Sequence, residues 1–241
     1  MNSLIIIKDE IHIWNAELSL SAAELARLWQ YLSMDEKHRA ERFKFDIHRN
    51  RFIATRGALR EILGNYLNLS PAEISFGYGD HGKPYLTNSE TQNITFNTSN
   101  SADLALYAFA KNRELGIDIE YMRDDLEPEA LAERFFSTYE CKILSALPAS
   151  QKKQAFFNCW TRKEAVIKAF GKGLSFPLNE FDVTLAPDEP ARLLTVHGDS
   201  DLAKRWSMYS LNPAENYAAA LVAEGNKVPL KYFQWQTQAP K

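Results

Sequence analysis

Three carboxylates and one lysine form the most chemically informative pattern in the sequence. Asp118 and Glu120 lie in the segment LGIDIE (residues 115–120), whose apolar and polar residues alternate as in a half-buried β-strand, so both acids extend from one face. Further along, Glu164 and Lys168 lie one helical turn apart. Carboxylate oxygens suit Mg²⁺, which commonly shares its coordination shell with substrate phosphate groups. The sequence therefore predicts a Mg²⁺ site where this strand faces this helix.

Structural interpretations compete with this prediction. Surface strands often alternate apolar and polar residues, and Glu164 and Lys168 could form an ordinary ion pair between successive turns of a helix. The ion-pair interpretation, however, explains neither the paired acids of the strand nor the two glycines, Gly171 and Gly173, that follow the helical segment.

The composition is typical of a globular protein and argues against several classes. Of 241 residues, 45% are apolar and 24% are charged, and a net charge of -3 shows no bias toward nucleic-acid binding. The apolar run in residues 1–7 is shorter than a signal-peptide core, and no apolar run approaches the length of a membrane span. Cys141 and Cys159 form no CxxC pair, so we expect both to be reduced. We expect a cytoplasmic protein without a nucleic-acid or membrane partner.

Other common catalytic motifs are missing from the sequence. The turn containing Gly82 and Lys83 lacks the spacing of a P-loop and the Ser or Thr that follows its lysine. No Gly-x-Gly-x-x-Gly follows a predicted strand, and there is no Gly-x-Ser-x-Gly. The five histidines do not occur at the spacing of helical metal ligands. These observations argue against a P-loop, a Rossmann site, a serine hydrolase and a histidine metal site.

The predicted elements suggest two similar halves. Apolar stripes with helical periodicity predict long helices at residues 47–67 and 151–170, and each is followed by a turn region and then by three strands. We therefore expect an α+β fold, a pseudo-twofold monomer with halves at residues 1–112 and 113–241. Each half would have a long helix packed on a small, mostly antiparallel sheet, with the active site in the cleft between the halves.

Two segments are predicted to lack regular structure. The small polar residues at 97–101 (NTSNS) favour a turn, whose hydroxyl and N–H groups could also bind phosphate oxygens. Residues 229–241 are predicted to form a ragged tail, whose first part could be held by Tyr232, Phe233 and Trp235.

Four motifs together resemble the 4'-phosphopantetheinyl transferase superfamily, and most closely its Sfp-type members, which are single chains of two similar halves. They are GIDIE (116–120), W-x-x-K-E-A-x-x-K-x-x-G-x-G-L (160–174), G-K-P-Y (82–85) and F-N-x-S-x-S (96–101), in matching order and spacing over roughly residues 34–185. No single motif would be specific, but the combination is.

This resemblance implies an activity and a set of partners. Family members transfer the 4'-phosphopantetheine group of coenzyme A to a serine of an apo carrier protein and release 3',5'-adenosine diphosphate, with magnesium. Acyl, peptidyl and polyketide carriers of fatty-acid, nonribosomal-peptide and polyketide biosynthesis are all candidate partners. The sequence leaves two alternatives open: an inactive module that binds coenzyme A or a carrier protein, and another magnesium-dependent phosphate-group transferase.

The resemblance also implies a role for each matching residue. Asp118, Glu120 and Glu164 would hold Mg²⁺ on the coenzyme A pyrophosphate, and Asp118, Glu164 and Lys168 would be the catalytic residues. Glu164, or a water molecule that it holds, would accept the proton of the carrier serine, and Lys168 would stabilise charge on the phosphates. The other coenzyme A contacts would be Arg51 at the 3'-phosphate, Lys83, Pro84 and Tyr85 on the adenine and phosphate side, and Ser99, Asn100 and Ser101 at phosphate.

Two positions weaken the match. The family usually has Ser-His-Ser where this chain has Asn100 between two serines, and asparagine carries no charge. The assignment of Arg51 depends on an alignment with a length difference nearby, so Arg49 and Arg56 remain alternatives.

The carrier protein is expected to dock beside the cleft. Carrier proteins are acidic, and their modified serine begins a helix. By its position between the two motif clusters, the segment at residues 121–150 is the candidate docking site. Phe135 and Phe136 are candidate contacts, although burial in the local core would explain both residues equally well.

Overall fold

The protein has a mixed α+β fold in the computed structural model, which describes residues 5–6, 9–87 and 93–237. Most of the apolar run at residues 1–7 therefore lies outside the described residues. The helices in the described part are α1 (Ala22–Trp29), α2 (Met34–Glu41), α3 (Asp46–Leu67), α4 (Pro128–Phe135), α5 (Thr138–Ala146), α6 (Ala149–Phe170) and α7 (Ser200–Ala203). Of these, none is both long enough and apolar enough to cross a membrane.

The strands form two main sheets and two small two-stranded ones. They are β1 (Ile11–Glu17), β2 (Phe76–Tyr78), β3 (Pro84–Leu86), β4 (Ile94–Ser101), β5 (Leu104–Lys111), β6 (Leu115–Tyr121), β7 (Phe181–Val183), β8 (Leu193–Val196), β9 (Trp206–Leu211), β10 (Tyr217–Glu224) and β11 (Leu230–Gln234). The first main sheet has the order β11-β1-β5-β4 and the second has the order β6-β10-β9.

Helix α3 covers one face of the first sheet. Alternate residues of β5, among them Tyr107 and Phe109, share a buried core with Ile62 and other apolar residues of α3. The Tyr107 hydroxyl donates a hydrogen bond to the carbonyl oxygen of Thr55, at 3.0 Å. Because this buried phenol has a partner on the helix, it fixes α3 relative to the sheet.

The C-terminal segment is the outermost strand of the first sheet. β11 pairs in parallel with β1, whereas the other pairings in this sheet are antiparallel. Phe233 stacks on Trp14 with ring centroids 4.8 Å apart, and Trp235 is buried. Phe233 and Trp235 therefore hold this segment as predicted, whereas Tyr232 is exposed, and the prediction of a ragged tail is wrong for residues 230–234. Residues 238–241 lie outside the described part.

Helix α6 covers the second sheet, and the two sheets pack face to face. Ala220 and Val222 of β10 face α6, while Leu221 between them faces the first sheet, as the two-residue period of a strand requires. The core between the sheets includes Leu106 of β5 and Ile117 of β6. The layers therefore follow the order α3, first sheet, second sheet, α6.

The sequence predicted both long helices to within two residues of their bounds. Each ends at a residue in the left-handed conformation, Asn68 with φ 55° and Gly171 with φ 66°, whose N–H groups bond to carbonyl oxygens of the last turn. Gly171 is therefore suited to end α6, since glycine adopts positive φ without steric strain.

Lys163, within the second motif, is a structural residue that anchors α6. Its ammonium group is fully buried, donates hydrogen bonds to the carbonyl oxygens of Leu178 (2.7 Å) and Phe181 (2.6 Å), and lies 2.7 Å from the Glu140 carboxylate. Removing one partner of a buried pair leaves the other charge uncompensated, which is strongly destabilising. This pair therefore fixes the helix that carries Glu164 and Lys168.

Candidate active site

The site lies where an edge of the first sheet meets an edge of the second. β4 and β6 are neighbouring edge strands, so N–H groups of β6 on that side have no strand partner. The side chain of Asn97 accepts a hydrogen bond from the Ile117 N–H (2.9 Å), and the Ser101 hydroxyl accepts one from the Tyr121 N–H (3.0 Å). Polar side chains of β4 thus accept the hydrogen bonds that a further strand beside β6 would otherwise accept.

This arrangement corrects the prediction for residues 97–101. The segment is the second half of β4 and not a turn. Small polar residues favour turns when they act locally. Here Asn97, Ser99 and Ser101 lie on one face of the strand and bind β6, a contact that is distant in sequence.

Asp118 is the centre of the polar contacts. It is 3% exposed, and its Oδ1 accepts hydrogen bonds from the Ser99 hydroxyl (2.8 Å) and the Lys168 ammonium group (2.7 Å). Lys168 also donates to the Ser99 hydroxyl (2.9 Å) and to the Ile117 carbonyl oxygen (3.2 Å). The other oxygen of Asp118, Oδ2, is buried and has no hydrogen-bond partner among the described residues. Lys168 thus forms this ion pair with Asp118 of β6 and not, as the alternative had it, with Glu164 on its own helix.

Glu120 and Glu164 form a group of three carboxylates with Asp118, and the negative charge of this group exceeds the positive charge of Lys168 beside it. Burial, followed by repulsion from Asp118, raises the pKa of Glu120, although the Ser101 hydroxyl donates to it at 2.7 Å. Burial and the charge of Asp118 likewise raise the pKa of Glu164. The Asp118 charge therefore affects both glutamates, and the ammonium group of Lys168, which lowers both pKa values, does not reverse the upward shift.

The donor set fits a divalent cation, but its arrangement does not yet enclose one. In the part of the chain that the structure describes, no three His, Cys, Asp or Glu side chains are already placed to hold a metal ion. The unpartnered Asp118 oxygen nevertheless leaves a ligand atom free, and the pKa values of the two glutamates are raised by burial and, next, by the charge of Asp118. Oxygen ligands with excess negative charge are the kind that Mg²⁺ prefers.

Gly116 allows the strand to approach the helix closely enough for these contacts. A Cβ atom at this position would lie 2.2 Å from the Ala165 carbonyl oxygen and 2.3 Å from the Ala169 nitrogen. Both are backbone atoms of α6, which cannot move aside as a flexible side chain could. The glycine of the GIDIE motif therefore sets the distance between Asp118 on β6 and Lys168 on α6.

A basic cavity of about 540 Å³ borders the carboxylates. Its lining includes Arg51, Pro84, Asn100 and Ser101, four of the residues that the family resemblance assigned to coenzyme A. Ser101 also donates to Glu120, so this cavity and the carboxylates share a wall. The further basic residues in the lining are Arg39, His48 and Arg56.

These further residues are partly visible in the sequence. Arg39 and Arg56 belong to the basic run at residues 37–60, but their spacing does not reveal a shared cavity. Arg51 lines the cavity and binds the Asp103 carboxylate at the tip of the β4–β5 hairpin, with its Nη2 atom at 2.8 Å. Arg49 pairs with Asp46, one turn away along α3, at 3.2 Å. The structure thus places Arg51 and Arg56, and not Arg49, among the lining residues.

Three predicted coenzyme A contacts lie elsewhere in the structure. Lys83 donates to the Glu114 carboxylate (3.0 Å) and the Leu115 carbonyl oxygen (3.1 Å). Tyr85 is 53% exposed, and its ring lies over Gly77. Ser99 is part of the Asp118 cluster. None of the three lines the basic cavity as the structure describes it.

A second cavity, of about 400 Å³, lies on the other side of Ser101. Its walls are mainly apolar and include Trp160, one turn before Glu164, together with Glu120. Phe136 is 5% exposed and belongs to the core, and Phe135 is partly buried and packs against Trp160 with ring centroids 5.5 Å apart. The core interpretation therefore holds for Phe136.

Comparisons with known proteins give a consistent assignment. Residues 114–222 match the family described as the 4'-phosphopantetheinyl transferase superfamily, and residues 16–112 match the family described as 4'-phosphopantetheinyl transferase, N-terminal. The 4'-phosphopantetheinyl transferase HetI of Nostoc sp. is 41% identical over 235 residues, which cover 97% of this chain and 93% of the relative.

Two further relatives agree. A putative 4'-phosphopantetheinyl transferase of Synechocystis sp. is 32% identical over 219 residues, covering 85% of this chain and 87% of the relative. The 4'-phosphopantetheinyl transferase Sfp of Bacillus subtilis is 33% identical over 172 residues, covering 70% of this chain and 73% of its own.

Proposed function

The chain belongs to the 4'-phosphopantetheinyl transferase superfamily, and we propose that it transfers the 4'-phosphopantetheine group of coenzyme A to a serine of an apo carrier protein. The second product is 3',5'-adenosine diphosphate. The observation that carries this proposal is the position of Asp118. Its charge acts on Glu120 and Glu164, it pairs with Lys168, and the cluster borders a basic cavity.

We assign Mg²⁺ binding to Asp118, Glu120 and Glu164. The unpartnered Oδ2 of Asp118 and the raised pKa values of the two glutamates support this assignment. When bound, Mg²⁺ neutralises charge on the pyrophosphate and on the leaving group of the phosphoryl transfer. In the described residues no three such side chains are already placed to hold a metal, so phosphate oxygens of coenzyme A and water would complete the shell of the ion.

Glu164 acts as the general base. A serine hydroxyl is a weak nucleophile until a base accepts its proton. Burial and the charge of Asp118 raise the pKa of Glu164 in the metal-free site, and a carboxylate that held Mg²⁺ through one oxygen would keep its other oxygen for a proton. Glu164 therefore accepts the serine proton, directly or through one water molecule, as the serine oxygen attacks the phosphorus atom.

Lys168 and the basic cavity hold the phosphate groups. The Lys168 ammonium group lies at the junction of β4, β6 and α6, where it stabilises negative charge on the pyrophosphate. Arg51 binds the 3'-phosphate, and the wall formed by Pro84, Asn100 and Ser101 contacts the nucleotide and its phosphates. Lys83, Tyr85 and Ser99 join these contacts once coenzyme A is bound.

The two matched family regions support a two-half architecture. They divide the chain close to residue 113, and each long helix covers one of the two sheets. We assign residues 1–112 to the half that binds coenzyme A and residues 113–241 to the half that carries the metal ligands and catalytic residues, except that β11 joins the first sheet. The protein then works as a cytoplasmic, pseudo-twofold monomer with its active site in the cleft between the halves.

Mass spectrometry of a carrier panel tests the function. Purified protein is incubated with coenzyme A, Mg²⁺ and apo acyl, peptidyl or polyketide carrier proteins, and at least one carrier should gain the mass of one phosphopantetheine group. The pattern across the panel identifies the carrier class. If no carrier gains mass, the proposed function is wrong.

Calorimetric titration distinguishes the alternatives. Coenzyme A should bind, and bind more tightly when Mg²⁺ is present. A protein that binds coenzyme A and carriers without transfer would be an inactive binding module. A protein that binds other nucleotides as well as coenzyme A would be a different phosphate-group transferase.

A further inference from the structure

The connection between α2 and α3 exposes apolar side chains to solvent. All residues from 41 to 48 are exposed, and they include Phe43 (36%), Phe45 (57%) and Ile47 (52%). We call residues 42–48, the connection together with the first three residues of α3, the basic-aromatic loop, because Arg42 and Lys44 alternate with these apolar residues. Exposed apolar groups placed close together mark interaction surfaces more often than isolated ones do.

The loop also gives helix α3 an N-cap residue that does not stabilise its first turn. Phe45 is the N-cap residue of α3, in an extended conformation with φ -111° and ψ 134°. A phenylalanine side chain cannot accept a hydrogen bond from the first turn, whereas Ser, Thr, Asp or Asn at this position would stabilise the helix. Neither helix capping nor core packing therefore explains an exposed phenylalanine here.

The charge around the loop determines the kind of partner. Residues 37–49, on the flank that carries the loop, contain five Lys or Arg residues and two Asp or Glu residues. Residues 121–150, on the other flank, contain three Lys or Arg residues and six Asp or Glu residues. An acidic protein surface is attracted to the first flank, whereas on the second flank Asp124 and Glu129 already pair with lysines and Glu140 is buried. The first flank therefore has the excess of positive charge, while docking on residues 121–150 stays a prediction.

The loop lies at the entrance of the active site. Phe43 and His48 belong to both the loop and the lining of the basic cavity, whose far wall contains Ser101. The Ser101 hydroxyl donates to Glu120, one of the proposed metal ligands. A protein bound on the loop therefore borders the cavity that leads to the carboxylates.

We propose that the carrier protein docks on the basic-aromatic loop through an acidic helix whose apolar residues cover Phe45 and Ile47. This inference rests on the proposed function for the identity of the partner. Lys44, whose ammonium group lies 5.5 Å from the centre of the Phe45 ring, supplies charge to the acidic helix. Transfer should consequently weaken as salt is added, because screening reduces the attraction between exposed charges.

Two variants of the loop and two matched controls test the docking site. Lys44→Glu and Phe45→Ser change the loop outside the cavity lining, and Lys142→Glu and Tyr139→Ser make the same kinds of change at exposed residues of the other flank. With an acidic apo acyl carrier protein as substrate, each loop variant should raise the KM for the carrier about tenfold. The kcat and the KM for coenzyme A should stay within about twofold, as should all constants of the controls.

A stability measurement separates docking from folding. Phe45→Ser introduces a favourable N-cap residue, so its melting temperature should equal or exceed that of the unmodified protein while its KM for the carrier rises. An unchanged KM for the carrier in both loop variants would overturn the proposal. So would an equal rise in the KM for coenzyme A, which would make the loop part of the cofactor site, or a larger effect in the controls.

Direct binding distinguishes failure of docking from failure of the function. Fluorescence anisotropy of a labelled apo carrier reports association even when no transfer occurs. Weaker binding to the loop variants supports docking whether or not the unmodified protein transfers phosphopantetheine. Absence of transfer to any carrier contradicts only the function. If anionic phospholipid vesicles bind the unmodified protein but not Phe45→Ser, and carrier binding is unchanged, the loop is a membrane contact and the docking proposal is wrong.

Discussion

The ammonium group of Lys168 lies 2.7 Å from Oδ1 of Asp118, while Oδ2 of the same carboxylate is buried without a partner in the part of the chain that the structure describes. A buried polar atom without a hydrogen bond costs about 1 to 3 kcal/mol, so this half-satisfied carboxylate does not serve stability. The arrangement instead suits an active site in which Oδ2 of Asp118 would bind a cation and Lys168 would face the negative charge of phosphate groups.

Removing the charge of Lys168 should impair catalysis more than folding. Lys168→Met keeps much of the apolar stem but lacks the charge that faces the phosphates, so kcat/KM should fall about 100-fold. The control Lys172→Met changes an exposed lysine just beyond the same helix and should alter kcat/KM by less than about twofold. Circular dichroism checks that both variants are folded. A Lys168→Met protein that works at the unmodified rate would show that this lysine does not stabilise phosphate charge.

A methyl group at Gly116 should separate β6 from α6. Because the new Cβ would meet backbone atoms of α6 at 2.2 and 2.3 Å, Gly116→Ala should lower the free energy of unfolding by about 3 kcal/mol. In Gly79→Ala the nearest atom would be 3.8 Å away, so that variant should unfold almost like the unmodified protein. Urea denaturation measures both. Equal stability of the two variants would contradict the close packing of strand on helix.

Histidine at position 100 should strengthen coenzyme A binding in acid. Asn100 lines the basic cavity without a charge, and a protonated imidazole there would attract phosphate. For Asn100→His, the KM for coenzyme A should fall about threefold at about pH 6 and stay unchanged at about pH 8, where the imidazole is neutral. Steady-state kinetics at both pH values measures this. The same KM as the unmodified protein at both pH values would remove Asn100 from the coenzyme A site.

His12 should make folding sensitive to acid. Burial lowers its pKa from 6.5, although Glu10 at 2.8 Å opposes this effect; Lys231 pairs with Glu10, and the other ring nitrogen contacts the Tyr66 hydroxyl at 2.7 Å. Below pH 6.5 the unfolded chain binds a proton at His12 that the folded chain resists, so stability falls as the pH falls.

A variant without this histidine isolates its contribution. Between about pH 7.5 and about pH 5.5, the unmodified protein should lose about 1 kcal/mol more unfolding free energy than His12→Gln. Urea titrations at the two pH values give the difference. A larger loss in His12→Gln than in the unmodified protein would mean that protonated His12 stabilises the fold.

Local periodicity explains what the sequence predicted well. The two long helices follow from apolar residues at helical spacing, and the two acids of β6 follow from strict alternation, because both patterns depend on neighbours within one element. The burial of Lys163 could not be predicted from the sequence, because its partner Glu140 belongs to another helix.

Contacts between distant segments explain the errors. Residues 97–101 were predicted to form a turn because their small polar side chains favour one locally, yet these side chains complete the edge of β6. β11 was predicted to be part of a tail because its partner, β1, lies near the other end of the chain. A short strand has too few residues for its own pattern to identify such a partner.

Mass spectrometry of an apo carrier protein with the unmodified protein, Asp118→Ala and Glu164→Ala tests the central claim most directly. Glu133→Ala, a change at an exposed residue of α4, is the matched control. With coenzyme A and Mg²⁺ present, the unmodified protein and the control should add one phosphopantetheine group to the carrier and release 3',5'-adenosine diphosphate. Both site variants should remain folded and add none. Transfer at a near-normal rate by either site variant would contradict the carboxylate site proposed here.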